Sequence, residues 1–236
     1  MEKIAIQDLE IYITDFKYNY IPQNKKKEER IQRIVIFGIK DKIKFLDADK
    51  TQEFYIDSTF KIIPPQYRPY KLLVIAGLPI QQKNPFLLCF ILIKYLDIEA
   101  YDKLLSYLNE NFNFKPKIIM TDFEKALSSA IKKNKITKDT TIHIKCLFHF
   151  SQMISKKLSK AGMFKKKLNK ISLEILRNIE LLAFINKDKI KKFQDIIIKN
   201  LKQYKKLKKL KKFTKYLKNY IFKLNSNSYN YEKIIK

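Results

Sequence analysis

The chain has 236 residues, long enough for one large domain or two small ones, and its 46% hydrophobic content excludes a mainly disordered protein. It carries 50 Lys+Arg against 23 Asp+Glu, a net charge of +27, which favours a polyanionic partner, nucleic acid first. The longest apolar run, Phe86–Ile93, is too short to span a membrane, the N-terminus MEKIAIQDLEIYITDF has no signal-peptide core, and two distant cysteines make no secreted disulfide framework, so a soluble, intracellular protein without a membrane partner is expected.

Residues 1–50 read as an N-terminal segment. Residues 11–13 suit a short strand, 24–30 (NKKKEER) form a charge run in a loop or at a helix start, and 31–39 form a strand. A turn is expected near 40–42 and a short helix over 43–50.

Residues 51–158 read as the core. The stretch 53–65, EFYIDSTFKIIPP, sets Asp57 inside a run of strand formers that ends at Pro64 and Pro65. An aspartate there is costly to bury without a partner charge or a metal; the plainer reading is a strand-end or edge aspartate facing water. Residues 70–78 form a second strand, Asn84 and Pro85 a turn, and Phe86–Ile93 a third strand, apolar on both faces and therefore central. Ile98–Phe112 changes to helical spacing through Tyr101, Leu104, Leu105 and Leu108. Residues 117–121 form a fourth strand with Asp122 at its end, 123–132 a helix, 140–145 a fifth strand, and 146–158 the start of another helix.

Asp57 and Asp122 lie 65 residues apart, and two strands of one sheet would bring both carboxylates to one metal site. The order β-β-β-α-β-α-β-α suits an α/β fold with a mixed five-stranded sheet flanked by helices, which is the order of the ribonuclease H-like fold. In that fold the first acid lies on strand one and the second at the end of strand four, the places of Asp57 and Asp122.

From residue 159 to 236 the chain reads as all-helical, with one amphipathic helix over 164–182 and another over 190–204. Residues 205–212 (KKLKKLKK) add a basic face, either solvated or phosphate-contacting, and 225–236 read as a loose tail. With only 3 Gly and no Trp, and with Lys, Ile and Asn abundant, AT-rich codon usage is a second source of the positive charge.

Three stretches carry a family resemblance: 54–65 (FYIDSTFKIIPP), 118–126 (IIMTDFEKA) and 146–152 (CLFHFSQ), with Arg33 to Phe37 upstream and 181–185 (LLAFI) downstream. In this order and spacing the chain resembles a Mutator-like element (MULE) transposase domain over roughly residues 30–200. The resemblance implies a DDE-type site in which Asp57 and Asp122 hold Mg²⁺ or Mn²⁺ for DNA strand cleavage and transfer. It implies transposon-end DNA as partner, action as a homo-oligomer and a nuclear location.

In the family the third acid is a glutamate after a helical insertion. Glu174 and Glu180 lie inside the insertion-like helix, and Glu232 is late enough but lacks the flanking pattern, so the third acid is unassigned, the insertion-like region reads as truncated, and weak or absent activity is expected. The alternative function is a catalytically inactive nucleic-acid-binding protein, domesticated or decayed from such an element. Cys146 and His149 form a C-x-x-H pair, with His143 just upstream. They are open to reading as zinc ligands or as a packed strand-to-helix junction; with two Cys and two His in the chain, a closed four-ligand zinc site is not expected.

Overall fold

The computed structural model describes residues 10–20, 30–59, 63–137, 141–163, 169–182, 184–185, 187–202 and 208–222. The chain divides into two compact units, Met1–His143 and Ile144–Lys236, with the division inside a strand.

The fold is α/β, built on a seven-stranded mixed sheet. In chain order the strands are β1 (Ile11–Tyr20), β2 (Arg30–Ile39), β3 (Thr51–Thr59), β4 (Lys71–Pro79), β5 (Phe86–Ile93), β6 (Ile118–Thr121) and β7 (Ile142–Lys145), and their order across the sheet is β1-β2-β5-β4-β3-β6-β7. Strands β3, β4 and β5 form an antiparallel meander, and β6 crosses over to lie parallel to β3. The five expected strands are present, but the sheet is larger than the five-stranded one expected. β2 pairs antiparallel with β5 through Val35, Ile36 and Phe37, and β1 pairs with β2 along all ten of its residues. Both come from the segment before residue 51. By pairing, they satisfy backbone groups that would otherwise line an open edge of β5.

Period-2 alternation determines which way each strand faces. Ile34 and Ile36, Phe54 and Ile56, Leu73 and Ile75, and Ile91 and Ile93 are buried on one face of the sheet. Two helices complete that core. The first, α2 (Ile98–Phe112), contributes Ala100, Tyr101, Leu104, Leu105 and Leu108 at helical spacing, and α3 (Lys125–Lys133) contributes Leu127, Ala130 and Ile131. Each fully buried Leu or Ile stabilises the fold by about 1.5–3 kcal/mol.

The ends of α2 are written in the sequence. Asp97 caps it, its carboxylate accepting from the Ala100 N–H at 2.9 Å, and Asn113 ends it in the left-handed region at φ 54°. β1 also packs on α2: its Phe16 ring stacks on Tyr107 at 4.2 Å, and the Thr14 hydroxyl is 2.8 Å from the Tyr107 hydroxyl. The turn expected over 40–42 is instead a short helix, α1 (Lys40–Ile43), followed by a 3-10 turn over Lys44–Leu46.

The second unit is helical beyond the end of β7: α4 (Leu147–Lys160), α5 (Asn169–Leu181), α6 (Lys187–Lys202) and α7 (Lys208–Tyr216), the last continuing as a π-helical turn over Leu217–Ile221. α4 packs on α5 and α7, and α6 contacts both α5 and α7. Their buried faces carry Phe150, Ile154, Ile175, Ile179, Ile197 and Phe213. Gly162 stops α4 at φ 77°, a left-handed position that a Cβ would strain, and the Met163 N–H closes the end on the Leu158 carbonyl. The expected loose tail, 225–236, lies outside the described residues.

Candidate functional site

Asp57 is carried by β3, and Asp122 follows the end of β6, the strand that runs beside it. β3 and β6 run parallel with Phe54 beside Ile119, Tyr55 beside Met120 and Ile56 beside Thr121. The paired register ends there: Asp57 is the next residue on β3, and Asp122 is the residue that follows β6. Ile56 is buried in the helix-covered core, so alternation turns Asp57 to the opposite face of the sheet, whereas Asp122 lies in the loop after β6. Both aspartates are half-buried. β4 flanks the other side of β3, with Val74 opposite Asp57.

The loop after β6 holds Asp122 in place. Its Oδ1 accepts the backbone N–H of Glu124 at 2.9 Å. The Thr121 hydroxyl donates to the Asp122 carbonyl at 2.9 Å and is hydrogen-bonded to His143 Nε2 on β7 at 2.8 Å. Thus His143 supports the strand end that carries Asp122.

Glu124 is the residue the sequence reading left without a role. It precedes α3, and its carboxylate accepts the Tyr101 hydroxyl at 2.7 Å. Burial pushes the Glu124 carboxyl above its ordinary range, and the charge of Asp122 adds to the rise; the Tyr101 hydrogen bond, Lys71 and Ser58 oppose it. The Tyr101 hydroxyl is itself raised, by burial first and then by Glu124. A sequence signal existed: Tyr101 sits on the buried stripe of α2, where a tyrosine hydroxyl needs a partner. Its partner lies 23 residues on, which helical spacing cannot supply.

Four other sequence candidates belong to the second unit. Cys146 is the N-cap of α4 and His149 lies in its first turn, both in the second unit, with the His149 ring edge-to-face with Phe148 at 5.6 Å. Glu174 and Glu180 lie on α5, also in the second unit. Glu232 lies outside the described residues.

A hard divalent cation is the metal that suits the Asp57–Asp122 pair, because its donors are carboxylate oxygens. Among the described residues no group of three or more His, Cys, Asp or Glu could hold a metal ion. A pair still fits Mg²⁺, which is commonly held by one or two carboxylates together with water and substrate phosphate. Among the described residues no helix is long and apolar enough to cross a membrane. No protein-family model matches the chain, and no curated protein matches it.

Proposed function

We propose that the chain is a transposase domain of the Mutator-like DDE type, with a ribonuclease H-like sheet, that cleaves and transfers DNA strands with Mg²⁺ or Mn²⁺. One observation carries the reading: the parallel register of β3 and β6, whose last pair, Ile56 and Thr121, immediately precedes Asp57 and Asp122. The order β5-β4-β3-β6-β7, with an antiparallel meander and a parallel fourth strand, supports it. Transposon ends as substrate, a homo-oligomeric state and a nuclear site of action belong to the same proposal.

Asp57 and Asp122 would hold the cation. When bound, the cation stabilises charge on the scissile phosphate and lowers the pKa of a bound water or hydroxyl. The chain's own part is positioning. The Glu124 N–H orients the Asp122 carboxylate, and Tyr101 anchors Glu124 from inside the core.

A second reading, a catalytically inactive nucleic-acid-binding protein, is favoured by a different observation. No third acid completes the pair among the described residues, and Glu124 is already engaged by Tyr101.

Calorimetric Mn²⁺ titration of the intact chain and of Asp57→Asn and Asp122→Asn tests the site, with plasmid nicking in Mg²⁺ and Mn²⁺ alongside. Binding abolished by either substitution, together with nicking lost in both, supports the transposase reading. Binding without nicking moves the protein to the second reading. Binding indifferent to both substitutions removes the carboxylate site altogether.

A further inference from the structure

The two units differ in charge. Ile144–Lys236 contains 26 Lys+Arg against 5 Asp+Glu, whereas Met1–His143 contains 24 against 18. A codon bias toward lysine acts on both units alike, so it does not account for the contrast. The longer unit is nearly balanced, and the shorter one holds most of the excess.

Part of that excess is displayed on α6 and α7. Lys191, Lys192 and Lys199 are exposed on α6, and Lys211, Lys212 and Lys215 on α7, two helices that pack together. Among their described residues Asp195 is the one exposed acid. Lys191 and Lys199 flank Asp195 at four-residue spacing and so share one stripe, as do Lys211 and Lys215.

The rest of each helix narrows the partner. Ile190, Ile197, Leu201, Leu210, Phe213 and Leu217 are buried within the unit and, among the described residues, Ile196 is the one large apolar side chain exposed on the two helices, so neither keeps the wide apolar face that seats a helix in a lipid surface. No aromatic side chain described on α6 or α7 is exposed, so the surface lacks the stacking platforms that bind single strands. Apart from Asp195 and Ile196, the surface is mainly a set of cations at helical spacing, suited to a phosphate backbone.

We infer that the α6–α7 surface binds the phosphate backbone of duplex nucleic acid and does so without the Asp57–Asp122 pair. It shares with the proposed function only the class of partner, and its test uses no metal.

The test is fluorescence anisotropy of a labelled, random-sequence DNA duplex, titrated with the intact chain in EDTA at several salt concentrations. One variant combines Lys191→Gln, Lys192→Gln, Lys211→Gln and Lys212→Gln. A control combines Lys83→Gln, Lys103→Gln, Lys132→Gln and Lys135→Gln, all exposed in the first unit. The helical variant is expected to bind more than about tenfold more weakly near 0.1 M salt, with a log–log salt slope shallower by up to about 3.6; the control should stay within about twofold. Arginine at the same four helical positions should restore binding, which separates lost charge from lost folding. Equal weakening in both glutamine variants overturns the inference, as does no weakening in either. So does binding to phosphatidylserine vesicles that the duplex cannot displace. Failure of the carboxylate reading leaves every arm of this test intact.

Discussion

Tyr101 places a hydroxyl at a position with 0% exposure, and that hydroxyl is satisfied by the Glu124 carboxylate. Tyr101→Phe keeps the ring packing and removes the donor, leaving a half-buried carboxylate short of a partner. The variant is expected to lose about 2 kcal/mol of stability, read as a lower urea midpoint with an unchanged slope. If Tyr101 also positions Asp122 through Glu124, Mn²⁺ affinity falls in the folded variant; unchanged affinity would limit Tyr101 to a structural role. The two cysteines differ in the same physical way. Burial pushes the Cys89 thiol up to about 12 at 1% exposure, whereas Cys146 is half-exposed at the start of α4. Thiolate is the reactive form, so iodoacetamide at neutral pH should alkylate Cys146 in the native protein and reach Cys89 only after denaturation. Mass spectrometry of the two peptides reads this directly, and early labelling of Cys89 would contradict its burial. Asp57 and Asp122 were singled out from sequence because an acid within or straight after an apolar strand stands out. Glu124 was not, because its role depends on a tyrosine from another helix.

At the scale of elements, punctuation residues made the sequence readable. Pro85 opens β5, Asp97 caps α2 and Pro116 precedes β6, and β5 and α2 have the bounds expected from sequence. Asp97→Ala should cost about 1 kcal/mol, measured as a loss of global stability, because the Ala100 N–H loses its side-chain acceptor. A neutral result would mean that solvent replaces the cap without cost. β1 was harder to read: only 11–13 suggested a strand, yet it runs over ten residues. Polar and charged residues interrupt its outer face, and its inner face carries Tyr12, Thr14, Phe16 and Tyr18. That pattern is strand-like only once Tyr107 of α2 and the pairing with β2 are present to receive it. Local propensity was silent where tertiary contacts decided the outcome.

For the molecule as a whole, the carboxylate pair and the basic helices lie in different units. Asp57→Asn should therefore change metal-free duplex affinity by less than about threefold, since it alters one charge among many while leaving the α6–α7 surface intact. A larger change, measured by the same anisotropy titration in EDTA, would tie the two units into one binding surface. The sequence by itself determined the α/β class and the five core strands, because strand periodicity and breakers are local signals. It also contained the charge excess. Only the tertiary structure decided that β1 and β2 enlarge the sheet to seven strands, that β6 pairs in parallel with β3, and that Tyr101 anchors Glu124. Each of these is a pairing between residues distant in the chain. Such a pairing is selected by hydrogen-bond register and core packing together, which no single stretch encodes.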